Sequence, residues 1–293
     1  MPDAPHLERI RALSWHTFSF TLPAGWEVTA YLLDENDGQL QLYEREHFRG
    51  QLVWRKTSKS PDQARILTEI HRRHLDKEVP ERAKSFTALT TRQVGDFLFG
   101  YAQDGEPCQA SLYQPETKTL VQWVFPEHGD EQLARIEPLL RSYRRNDDDV
   151  RRWELFGVSV VLPQELAFSE MTPEPANVAI TFESKRHLTV VARRLGMVGE
   201  TLRTITLPQL HRLLLRRAGA RIVSTEDREI RGCPGVYTRY ERRGERRLEQ
   251  LSGRYWRGEG FLWHDQHEGR IYGLEQIGPT QAKRLDLLDA FQA

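Results

Sequence analysis

The sequence predicts an α+β protein made of two tandem repeats, each an antiparallel β-sheet with helices packed on it. Three observations carry this. A strand-end pattern at residues 17–28 returns about 140 residues later, a helix start recurs in slightly shifted register, and a helix closes each half.

In the first pattern Phe18, Phe20 and Leu22 alternate with Thr17, Ser19 and Thr21, the period of a strand with one buried face, and Pro23 ends it. In the second, Trp153, Phe156, Val158, Val160 and Leu162 lead to Pro163. Gln39–Tyr43 and Gln51–Arg55 alternate around a loop holding Gly50 and read as a hairpin. Ser60-Pro61-Asp62-Gln63 offers a serine cap, an early proline and a glutamine, so a helix is expected from there to Val79-Pro80 with Ile66, Leu67, Ile70 and His74 on one face. Phe86–Val94 reads as extended. Strands follow at Asp96–Tyr101, Ala110–Tyr113 and Thr119–Phe125, then an amphipathic helix over Asp130–Tyr143.

Strands in antiparallel runs with segregated helices argue an α+β or layered α/β/α unit rather than a doubly wound nucleotide-binding fold. The charged run Arg144–Asp149 reads as a linker, giving repeats at 13–145 and 151–293. In the second, Thr206-Leu207-Pro208-Gln209 repeats the helix start, and His71-Arg72 falls on His211-Arg212. The second repeat gains about eleven residues between Tyr240 and Gly258, where longer strands or a protruding hairpin are expected.

The chain has 293 residues, enough for two cores of ordinary size. Lys and Arg number 42, as do Asp and Glu, but up to residue 150 there are 19 basic against 24 acidic residues and beyond it 23 against 18. Charges of this size are common on inert surfaces. No apolar run is long enough to span a membrane and the N-terminus lacks a secretory pattern, so a cytoplasmic protein with no membrane contact is expected. Cys108 and Cys233 read as free thiols.

Phe20–Trp26, the similar strand end Val160–Pro163, the mid-domain helix and a late hairpin feeding a terminal helix together resemble the PsbP-like family. That family includes the photosystem II extrinsic protein, a Ran-binding nuclear import factor and uncharacterised bacterial proteins. The second repeat departs from the pattern, with Gln164-Glu165-Leu166 in place of the Gly25-Trp26 pair. The resemblance implies an α/β/α sandwich in each repeat, no cofactor, and binding rather than catalysis.

No catalytic constellation is legible. The chain has no Gly-x-Ser-x-Gly elbow, dinucleotide fingerprint or phosphate loop. His71 and His74, and His264 and His267, have metal-ligand spacing but no companion ligands, so they read as structural or surface histidines and no metal is expected. The recognition candidate is the arginine and aromatic segment 239–263, with Arg242, Arg243, Arg246, Arg247, Tyr255, Trp256 and Trp263 as the binding residues. Alternation along a strand would instead send the aromatics into a core and the arginines to water. The expected function is a non-catalytic protein-interaction or scaffold module with a protein partner. The alternatives are nucleic-acid binding through segment 239–263 and an enzyme with an interdomain cleft.

Overall fold

The computed structural model describes residues 11–291 except 16, 35, 79, 87, 103–105, 128, 147–149, 175, 244–254, 281 and 283. The chain divides into two compact units, residues 1–147 and 148–293.

In the first unit, β1 (Arg11–Trp15) and β2 (Phe18–Leu22) form a hairpin whose far edge pairs with β10 (Arg144–Arg145). The main sheet has seven antiparallel strands. They are β3 (Trp26–Leu33), β4 (Asp37–Glu44), β5 (His47–Lys56), β6 (Thr90–Val94), β7 (Phe97–Tyr101), β8 (Cys108–Gln114) and β9 (Thr119–Phe125), in the order β3-β4-β5-β9-β8-β7-β6. Helix α1 (Gln63–Glu78) lies against β7 and β8 and is followed by α2 (Pro80–Ser85), while α3 (Asp130–Arg141) packs on β2 and β6.

The second unit repeats this topology. After the hairpin β11 (Val150–Leu155) and β12 (Val158–Pro163) come β13 (Leu166–Glu174), β14 (Asn177–Ser184), β15 (Thr189–Leu195), β16 (Arg221–Ile230), β17 (Cys233–Arg243), β18 (Tyr255–Asp265) and β19 (Arg270–Gly278). Their order is β13-β14-β15-β19-β18-β17-β16, the same as in the first unit when each sheet is counted from its own edge. Helices α4 (Val198–Thr204) and α5 (Leu207–Arg217) lie between β15 and β16, and a four-residue helix, Leu287–Ala290, closes the chain.

The fold class differs from the expected α+β sandwich: among the described residues strand outweighs helix, 55% to 21%, so they form mostly antiparallel β-sheet. The physical reason lies in what covers each sheet. One face of the first sheet carries Leu52, Trp54, Phe99 and Trp123, and the β1–β2 hairpin buries it: Phe18 and Trp15 meet Trp54 at 5.6 and 5.9 Å, and Phe20 meets Trp123 edge-on at 5.2 Å. Such ring pairs add stabilisation beyond their area, roughly 0.5–1.5 kcal/mol each. In the second unit Trp153 of β11 likewise packs on Phe182, at 5.1 Å. Each sheet is thus covered on one side largely by a β-hairpin, where a layer of helix was expected. Edge strands β3 and β13, which the sequence did not predict, add to the excess, as do the unpredicted β1 and β10.

Helix starts differ in detail. The cap of α1 is Asp62, whose Oδ1 accepts from the Arg65 N–H at 3.1 Å, rather than Ser60. At α5 the predicted capping box is present, with Thr206 and Gln209 bonded reciprocally. The closing helix of the second unit has four residues against twelve in α3. Around the expected insertion the strands are longer: β17 and β18 have 11 residues each, where β7 and β8 have 5 and 7, and residues 244–254, where a protruding hairpin was the alternative, lie outside the described residues. Among the described residues no helix is long and apolar enough to cross a membrane.

Candidate binding site

The register of β17 on β18 decides where segment 239–263 points. Tyr240 pairs with Gly258, Arg239 with Glu259, Arg242 with Trp256 and Arg243 with Tyr255. Because alternate residues face opposite sides, the expected binding residues are split. Arg242 and Trp256 share the face covered by α5. There Trp256 is 4% exposed and packs with Tyr240, Leu215 and Ile277. Trp263 faces the other side and is also buried, edge-on to Phe291 at 4.7 Å. Both tryptophans are core, so neither is free to stack on a base or a peptide ring. Arg243 is exposed, and so is Tyr255, with the Arg221 guanidinium 5.8 Å from its ring centre. Arg246 and Arg247 lie outside the described residues. The five described residues do not converge on one place.

A neighbouring set does converge. A cavity of about 440 Å³ opens where β17 and β18 meet the segment after β19, lined by Arg239, Glu241, Arg257, Glu259 and Arg284, with Val223 and Thr280 also on its wall. Gly258 makes room on the opposite face: a Cβ there would lie 2.3 Å from the Tyr240 ring, so a side chain would expel that ring. Gln276 fixes the last wall by a two-way clamp, its amide donating to Leu285 O (2.8 Å) and accepting from Leu285 N (3.0 Å). Next to it, Arg284 Nη2 donates to the backbone oxygens of Arg257 and Gly278.

The acids of the cavity are already engaged. Glu259 accepts from Tyr237 Oη at 2.6 Å and from Gln276 Nε2 at 2.7 Å, and Glu241 accepts from Arg221 at 2.6 Å. Burial and the bond to Glu259 push the Tyr237 hydroxyl up to about 12, so it stays a donor. Arg239 bonds Ser224 and Glu226. Among the described residues the Arg257 guanidinium has neither hydrogen bond nor ion pair. Burial lowers the Arg284 pKa, and Glu259 opposes that shift while Arg257 adds to it. Among the described residues the cavity therefore presents the Arg257 guanidinium and Arg284 Nη1 without an internal acceptor, while Arg239 and Arg284 Nη2 are engaged.

A second cluster recurs in both units and is structural. In the second, His211 on α5 is fully buried, with Thr238 Oγ1 3.0 Å from Nδ1 and Glu275 Oε1 3.9 Å from Nε2. Arg193 Nε stands 3.6 Å from the same carboxylate oxygen. Burial pushes His211 down to about 4, leaving a neutral imidazole beside an Arg–Glu pair. Gly260 is required here, since a Cβ would lie 2.9 Å from Glu275 Cγ and 3.3 Å from His211 Nε2. In the first unit the buried His71 on α1 has Glu106 3.5 Å from its Nε2, and Glu106 also pairs with Arg82. Thr238, His211 and Glu275 have the composition of a proton relay, but their exposures of 0%, 0% and 5% leave no path for a substrate. In the second unit these groups hold α5 to β17 and β19, and in the first they tie α1 to α2 and to the connection between β7 and β8. The sequence placed His74 on the packed face of α1, whereas the fully buried residue is His71 and His74 is half-buried.

Cys108 is buried and its thiol is pushed up to about 12 by burial, which keeps it protonated and inert. Among the described residues no group of three His, Cys, Asp or Glu is placed to hold a metal ion.

No family model and no curated protein matches the chain. Among solved structures it is similar to the type VI secretion immunity protein TplEi of Pseudomonas aeruginosa. The complex of TplEi with an "L" peptide is 10% identical at a TM-score of 0.30, covering 97% of this chain and 91% of that one. The apo form is 8% identical at 0.31, covering 96% of each. A Bacteroides thetaiotaomicron protein is 10% identical at a TM-score of 0.25, over 59% of this chain and 55% of that one. Likeness at these scores establishes neither a shared fold nor a function.

Proposed function

We propose that the protein is a non-catalytic protein-interaction module whose contact site is the arginine-lined cavity of the second unit. The observation that carries this is Arg257, a guanidinium without an acceptor among the described residues, beside Arg284, held by backbone oxygens, at a cavity whose own acids are bonded elsewhere. Arginine is favoured at protein interfaces because its planar fork meets carboxylates and carbonyls with little loss of freedom per bond. Of the three candidate stacking rings Trp256 and Trp263 are buried and only Tyr255 is exposed, which favours a protein contact over the run of stacked bases that single-stranded nucleic acid uses. Glu226, Glu241 and Glu259 also interrupt the positive field that a phosphate backbone follows.

The test is quantitative affinity capture with the full chain, comparing wild type, Arg257→Glu and the control Lys77→Glu, a change on an exposed position of α1. A protein retained by wild type and Lys77→Glu at physiological salt, lost with Arg257→Glu and rebound after purification supports the reading. Retention by all three chains contradicts it.

A further inference from the structure

The lining of the same cavity selects the chemistry of its occupant, an inference that rests on protein binding as the role of this site. That lining holds three guanidiniums, from Arg239, Arg257 and Arg284, and two carboxylates, from Glu241 and Glu259. The formal balance is therefore +1. A single carboxylate matches it, whereas a phosphate monoester, at about −1.5 to −2 near neutrality, exceeds it and would face both resident acids.

The hydrogen-bond inventory selects the same group. Both oxygens of Glu259 are occupied by Tyr237 and Gln276, so this acid does not neutralise its neighbours by direct bonding. Among the described residues Arg284 Nη1 is buried without an acceptor, while its Nη2 is held by two backbone oxygens. An orphan donor of this kind costs free energy until an acceptor reaches it, and a charged acceptor recovers the most. Val223, 58% exposed at the wall, offers an apolar surface for the methylene stem of an acidic side chain. We infer that Arg257 and Arg284 form a fork for the carboxylate of an acidic side chain, Asp or Glu, presented by a protein partner.

Isothermal titration of the full chain with acetyl-tetraglutamate amide, which has no free terminus, tests this directly. Saturable binding is expected, weakened at least tenfold by Arg257→Gln and falling as salt rises. Acetyl-tetraglutamine amide and inorganic phosphate at equal concentration should neither bind nor compete. Arg284→Gln should show the same loss, but because Arg284 also ties backbone oxygens, the exposed Arg257 carries the decision if that variant fails to fold. Equal affinity in wild type and Arg257→Gln overturns the fork. So does displacement by phosphate, or preference for tetraglutamine with a free C-terminus. If the captured protein depends on Arg257 while tetraglutamate does not bind, the fork is wrong and the interaction module stands. If tetraglutamate binds at Arg257 but no protein is captured, the interaction reading fails and the carboxylate site remains.

Discussion

The two units share a strand order and differ in how they support the same buried histidine. In the first, the acid that meets His71 is Glu106, from the connection between β7 and β8, and its partner Arg82 is 44% exposed. In the second, the acid is Glu275 within β19, paired with Arg193 at 14% exposure, and Thr238 completes the set. The imidazole on the helix recurs while the acid beside it comes from a different element. The units differ also in the late hairpin, short in the first and long in the second, and the long one carries the arginine-lined cavity. The recurring cluster fixes each helix against its surroundings, and the hairpin that differs is the candidate for recognition.

The largest expected effect comes from removing the two acids in turn. Glu275→Ala leaves Arg193 largely buried without its carboxylate and should cost about 3–5 kcal/mol in chemical denaturation. Glu106→Ala leaves Arg82 where water reaches it and should cost about 1 kcal/mol or less. Equal losses would mean that the two clusters are energetically alike.

Acid should act on the second cluster next. His211 titrates at about 4 in the folded chain against 6.5 when free, so between these values the unfolded state binds more protons. Its contribution is complete above pH 6.5 and is lost as pH falls towards 4, by about 3 kcal/mol. His71 is shifted in the same direction, by burial. Unfolding followed from pH 7 to pH 4 checks the slope, which should shrink in His211→Asn.

Gly260→Ala is a smaller break. The added methyl presses on Glu275 Cγ and the His211 ring, for an expected loss of about 1–3 kcal/mol, seen as a lower melting temperature. Smallest is Arg257→Gln, which should leave stability within about 0.5 kcal/mol because the side chain is exposed and no contact within the described residues depends on it. A large loss of stability there would mean that Arg257 is a structural residue.

Local rules made part of this legible. The capping box at Thr206 and the alternation of Phe18, Phe20 and Leu22 are short-range signals, and the structure has both. Strands β3 and β13 escaped because each contains a bulge, between Val28 and Ala30 and between Phe168 and Glu170, which breaks the period of two. The cavity was half visible. Arg239 and Arg257 lie in the segment singled out for its arginines, but Arg284 enters from a connection after β19, and no linear motif joins it to them. The tryptophans misled because composition does not state parity: one residue of register sets whether a ring meets solvent or core.

The most direct test of the binding site is photo-crosslinking from a benzoylphenylalanine placed at Val223, compared with one at Leu32. Both positions are open, at 58% and 66% exposure, but only Val223 lines the arginine cavity. Cross-links to a partner protein from Val223, absent from Leu32 and suppressed by Arg257→Glu, are the predicted result. Cross-links from Leu32 with none from Val223 would contradict it.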